Sequence, residues 1–113
     1  MGRARPNDLR DLDDALREIR ALPGLSERRP GVFWLRRTPF LHFHTTGDFR
    51  RAHAKVGRTW GREIVLPFGA SRAARTAFVR EIRKRYETCL ELQPRAPRRA
   101  PTRPRRGGPS DGS

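Results

Sequence analysis

The sequence predicts an α+β fold: a four-stranded antiparallel sheet with N- and C-terminal helices on one face, followed by a disordered, basic C-terminal tail. Three observations carry this. Apolar residues recur at three- and four-residue steps in two stretches, one near the N-terminus and one after Ala70. Between them, from Gly31 to Pro67, the apolar period is two. Beyond Leu92 no large apolar residue follows, so residues 93–113, rich in Pro, Arg, Gly and Ser, cannot bury enough surface to offset their chain entropy. The foldable part is therefore a single domain over 7–92.

The first helix opens at Asn7, which can cap it, with Asp8 and Asp11 where the helix dipole favours acids. Leu9, Leu12, Leu16 and Ile19 form its apolar stripe, and Leu22-Pro23-Gly24 ends it. Four strand segments follow, GVFWLR, PFLHFHT, FRRAHAKV and WGREIVLP, punctuated by RRT, TGD and GRT. Ser71 then caps a closing helix, whose stripe of Ala74, Phe78, Ile82, Tyr86 and Cys89 runs to about Leu92.

Alternation sorts the strand residues onto two faces. The helix-covered face should carry Phe33, Leu35, Leu41, Phe43, Ala52, Ala54, Val56, Trp60, Ile64 and Leu66. The open face should carry Val32, Trp34, Phe40, His42, His44, Phe49, Arg51, His53, Lys55, Glu63 and Val65. A two-residue Gly47-Asp48 turn pairs Thr46 with Phe49, and hence His44 with Arg51 and His42 with His53. In the next hairpin, a two-residue turn at Gly57-Arg58 would set Ala52 against Glu63 and mix the faces. A three-residue loop, Gly57 to Thr59, avoids this by pairing Val56 with Trp60, Ala52 with Ile64 and His53 with Glu63.

The formal charge is +14, and six of the 26 basic residues fall in the tail. A basic domain with a basic tail attracts polyanions, nucleic acid first and anionic membrane surface second. The competing reading is base composition, since all but Lys55 and Lys84 of the basic residues are Arg and Ala, Pro and Gly are abundant. The single cysteine, Cys89, excludes an internal disulfide, fits a reducing compartment, and falls on the apolar side of the closing helix, as a buried, inert thiol would. No apolar run approaches the length of a membrane span and no signal-peptide core precedes the acidic DLRDLDD stretch, so a soluble, cytoplasmic protein is expected.

All three histidines lie within FLHFHTTGDFRRAHAK. His42, His53 and Glu63 would form a row across three strands, two imidazoles and a carboxylate. That is the ligand set of many open metal sites, so a divalent metal is the one cofactor suggested. The row also reads as a Glu–His hydrogen bond on a polar sheet face, and three ligands in a line surround an ion only if the sheet twists strongly. For nucleic acid, Trp34, Phe40 and Phe49 can stack bases while Arg36, Arg51, Lys55 and the tail hold phosphates. The ligand-binding candidates are Trp34, Phe40, His42, His44, Arg51, His53 and Lys55. A third reading covers the exposed aromatics with a homodimer partner.

Other motifs fall short. His42-Phe43-His44-Thr45-Thr46 begins like the H-x-H-x-H of histidine-triad nucleotide hydrolases, but Thr46 stands where the third histidine belongs. Four strands cannot make a cupin barrel, and neither a Ser-His-Asp order nor a glycine-rich phosphate loop is present. The GASR stretch opening the last helix can hold an anion, or simply leave Arg72 and Arg75 solvated.

PGVFWLRRTPFLHFHTTGD, followed by REIVLPFGASRAARTAFVREI, resembles small bacterial proteins that share a helix ending in LPG, an H-x-H strand, a strand ending in Pro-Phe and a closing helix. Over about residues 20 to 85 it is similar to the short luciferase-like domain family of unknown function, with DFRRAHAKVGRTW as an added segment. A second resemblance is to YjbR-type double-wing proteins, which begin with a similar LPG stretch and are suspected of binding DNA. Neither resemblance implies a catalytic residue here. The expectation is a binding module rather than an enzyme, with a metal-dependent hydrolase or lyase on His42, His53 and Glu63 and a structural homodimer as alternatives.

Overall fold

The computed structural model describes residues 8–93, and within them the chain is α+β with an antiparallel sheet. The cap expected of Asn7 and the tail expected beyond Gln93 lie outside the described residues. After Leu9, a single 3-10 turn at Arg10–Leu12 leads into α1, Asp13–Arg20. Asp13 and Asp14 occupy its first turn and Arg17 and Arg20 its last, the arrangement the helix dipole favours. Leu12, Leu16 and Ile19 are buried, as their spacing requires. The chain turns out at Pro23-Gly24, where the Tyr86 hydroxyl donates to the Pro23 carbonyl and Arg36 N–H to that of Gly24 at 2.8 Å.

The sheet holds six strands rather than the expected four: β1 Leu25–Arg29, β2 Val32–Leu35, β3 Thr38–Thr46, β4 Phe49–Val56, β5 Thr59–Trp60 and β6 Ile64–Val65. The order is β1-β2-β3-β4-β5, with β6 also on β4. The extra edge strand reads LSERR, with one large apolar residue and no β-branched one, so alternation could not reveal it. Glu27 anchors it, accepting from Arg20 Nε at 2.6 Å and from Gly31 N–H at 2.9 Å.

Helix α2 spans Arg72–Leu92, and Ser71 caps it by accepting from Ala74 N–H at 3.1 Å. Its Phe78, Ile82, Tyr86 and Cys89 join Phe33, Leu35, Leu41, Phe43, Ala52, Ala54, Leu12, Leu16 and Ile19 in one core. Ala52 and Ala54 are fully buried beneath α2, whose principal strand contact is β4. α1 packs mainly on α2 and the edge strand β1, so the expected cover of one sheet face by both helices is matched only in part.

Two one-residue irregularities set the faces. Leu35 pairs with Thr38 and Trp34 with Pro39, but Phe33 pairs with Leu41, leaving Phe40 as an extra residue in β3. Phe40 is consequently buried, edge-on to Tyr86 at 6.4 Å, which corrects its expected place on the open face. In the second, Val56 pairs with Thr59 and Lys55 with Trp60 across the two-residue Gly57-Arg58 turn, yet Ala52 still pairs with Ile64. The residue gained between these registers lies between Trp60 and Ile64. It turns Trp60 to the open face and leaves Val56 exposed, correcting the three-residue loop.

Arg50 lies on the core face of β4 and is fully buried. Its Nε donates to Leu66 O at 3.0 Å, Nη1 to Asp8 O at 2.8 Å and Asp11 Oδ1 at 2.7 Å, and Nη2 to Asp11 Oδ2 at 2.8 Å and Pro67 O at 3.0 Å. All of its N–H donors are thereby used, which is the condition for burying a guanidinium. Asp11 also accepts from Gly69 N–H at 3.0 Å, so one ion pair ties the start of α1, β4 and the loop before α2 together.

Candidate functional site

The open face is built from the β3–β4 hairpin outward. Gly47, at φ +61°, takes the first position of the Gly47-Asp48 turn, a left-handed conformation that glycine adopts freely. The expected register follows: Thr46 opposite Phe49, His44 opposite Arg51, His42 opposite His53. His42 stacks on His53 with centroids 5.1 Å apart and planes within 9°. His44 stands edge-on to both, at 4.9 Å and 5.4 Å, and is exposed. Among the described residues these three make a group able to hold a metal ion, with ligand atoms within 4.8 Å of one another. Glu63 is not in that group; its carboxylate accepts from Arg51 Nη1, both oxygens at 3.4 Å.

Burial pushes His42 below the ordinary histidine range, and the neighbouring His44 and His53 push the same way. Burial and His44 lower His53 too, with Glu63 pulling upward and Arg51 downward. Both shifts favour the neutral imidazole, the form that has a nitrogen lone pair to offer.

Trp60 completes the surface. Its indole is edge-on to His42 at 4.8 Å, and Lys55 Nζ lies 5.2 Å from its ring centre. Trp34, two strands beyond β4 on the same face, is half-buried with the Arg28 guanidinium 4.2 Å above it. Alternation alone hid Trp60, because a register shift inside WGREIVLP cannot be read from apolar period. At the Gly47-Asp48 end of the same face, Phe49 is 63% exposed and Val65, opposite Arg51, is 49% exposed.

Charge is uneven over the molecule. Between Leu25 and Val65 nine basic residues face three acids, whereas five of the remaining acids lie between Asp8 and Glu18. The Arg36-Arg37 and Gly57-Arg58 turns follow β2 and β4, parallel strands two apart, so both turns sit at one end of the sheet. Lys55 is beside them, and a cavity of about 240 Å³ there is lined by Lys55, Arg58, Cys89 and Leu92 among others. Cys89 itself is buried, its thiol donating towards the Lys55 and Gly57 carbonyls at 3.4 Å, and burial raises its pKa, as an inert thiol requires. Gln93 Nε2 donates to Thr38 Oγ1 at 3.4 Å, which holds Gln93 at this end of the sheet.

No family model, no curated protein and no solved structure matches the chain. Among the described residues no helix is long and apolar enough to cross a membrane.

Proposed function

We propose that the domain is a binding module for a polyanion, single-stranded nucleic acid in particular, held on the open sheet face at its basic end. The observation that carries this reading is the register shift that turns Trp60 out beside Lys55 and His42. Trp34 on β2 and Trp60 on β5 are then three strands apart, about 14 Å at ordinary strand spacing. Open sheets use aromatics so placed to stack two or three bases, while flanking cations hold phosphates. Arg37 and Arg58 supply those cations from the two turns, with Lys55 beside them, while the Arg36 side chain runs past Gly24 towards Tyr86 at the rim of the same end.

Arg36 adds a second argument. Its φ is +59°, a left-handed conformation that Gly or Asn would adopt at lower cost. Backbone strain of this kind clusters at ligand-binding positions, and here it sets a long cation at the rim of the basic end. The resemblance to double-wing proteins suspected of binding DNA points the same way.

The test is a Trp-fluorescence titration with an oligonucleotide at several salt concentrations. Quenching should accompany binding, log affinity should fall linearly with log salt, and Trp60→Leu, which keeps all charge, should weaken binding about tenfold or more. Affinity unchanged in Trp60→Leu would remove the sheet face from the reading.

A homodimer closing the same face is the second reading, favoured by exposed Phe49 and Val65 at its far end. Sedimentation of wild type and Phe49→Ser decides it: a dimer that the substitution dissociates supports this reading, and a monomeric wild type ends it.

A further inference from the structure

The clustering of three histidines is a feature that base stacking and phosphate contacts leave unexplained. His42 and His44 project from β3 two residues apart, and His53 from β4 opposite His42. Six consecutive residue pairs, Leu41–Ala54 to Thr46–Phe49, fix these strands against each other, and β2 and β6 flank them. The backbone positions of the three imidazoles are thus set before any ligand arrives, so little ordering cost remains.

We propose that His42, His44 and His53 hold one borderline divalent transition cation, Zn2+ foremost, in a three-imidazole site whose remaining position faces the exposed side of the sheet. Their ligand atoms already lie within 4.8 Å of one another. Zn–N bonds of about 2.0–2.1 Å place three nitrogens roughly 3.4 Å apart, so a modest turn of each ring closes the difference, the His42–His53 stack opening as both lone pairs face the ion. An all-nitrogen set selects such ions over Mg2+ and Ca2+, which need oxygen ligands. Three protein ligands leave the fourth position for water or an anionic oxygen.

This site differs from the row of His42, His53 and Glu63 expected from sequence. The Glu63 carboxylate is held by Arg51, and in doing so it offsets the guanidinium charge beside the cluster. His44 takes the third place instead. The inference stands apart from the polyanion reading, because it is tested without nucleic acid.

Tag-free wild type, His44→Ala, His53→Asn and Glu63→Gln are each mixed with one equivalent of Zn2+, examined by native mass spectrometry, and titrated against a chromophoric chelator. Wild type and Glu63→Gln should retain one Zn2+ with affinities within about threefold, while His44→Ala and His53→Asn weaken it by more than about tenfold, since even supporting residues act on that scale. His44 is exposed, so His44→Ala leaves the core intact and decides the matter alone if far-UV circular dichroism shows His53→Asn to be unfolded. A wild type that binds no Zn2+, a His44→Ala variant that binds as well as wild type, or a Glu63→Gln variant that loses the ion would each overturn the three-imidazole site.

Discussion

Lys55 stands opposite Trp60 across β4 and β5, its Nζ 5.2 Å from the centre of the indole ring. Three residues earlier on β4, Ala52 stands opposite Ile64, a register one residue out of step with the first. The difference is absorbed where Ala54 O accepts from both Gly61 N–H, at 2.9 Å, and Arg85 Nη1, at 3.0 Å. Arg85 Nη2 also donates to Arg62 O at 3.0 Å, so a buried α2 side chain pins the irregular segment that aims Trp60 outward.

Gly61 is the residue this geometry admits. A Cβ there would meet Val56 Cγ2 at 2.6 Å, Arg85 Nη1 at 2.9 Å and Ala54 O at 3.2 Å. Gly61→Ala should therefore cost about 1–3 kcal/mol in urea unfolding, the range for overpacking, and alter Trp60 fluorescence. Wild-type stability with an unchanged spectrum would contradict the bulge.

Arg50→Met should cost about 3–5 kcal/mol, because it strands the Asp11 carboxylate and leaves the Leu66, Pro67 and Asp8 carbonyls without this donor. That is a large share of the stability of a domain this size. Arg50→Lys keeps the charge but loses the fork, and should fall between Met and wild type. Chemical denaturation of the two variants checks the order.

The Arg50 guanidinium beside Asp11 holds its carboxyl down at about 2, against its burial, with the Ala70 and Gly69 N–H groups assisting. A carboxyl whose pKa is depressed on folding contributes stability that is full above its unfolded pKa, near 3.9, and lost as pH falls through the folded value. Stability should thus drop between about pH 4 and pH 2. Asp11→Asn should flatten that part of the profile while lowering stability near pH 7, as thermal melts across the range would show.

Arg36→Gly should stabilise the fold by up to ~1 kcal/mol, by relieving the left-handed turn position, while weakening oligonucleotide binding. The substitution should also lower the salt slope by about one ion. Gains in both stability and affinity would separate Arg36 from the binding face.

Much of this was legible in the sequence wherever a single period ran without interruption. The α1 stripe, the Ser71 cap, the α2 stripe and the Gly47-Asp48 hairpin could all be read, and with that hairpin the opposition of His42 to His53. The failures sit where one residue is inserted into a strand, because a shift of one reverses every later face. Phe40 went to the core and Trp60 to the open side for that reason. Arg50 shows a different limit. Alternation with Ala52 and Ala54 already places it on the core face, but the sum of partners that makes its burial tolerable comes from residues up to 42 positions away.

The most direct measurement is a 15N–1H NMR titration of the full chain with a short single-stranded oligonucleotide at moderate salt. Shift changes should gather on Trp34 and Trp60, including their indole N–H signals, on the Arg36-Arg37 and Gly57-Arg58 turns, and on His42 and Lys55. Changes confined to residues 94–113, or spread evenly over the basic surface with both indole signals unmoved, would contradict an open-face binding site.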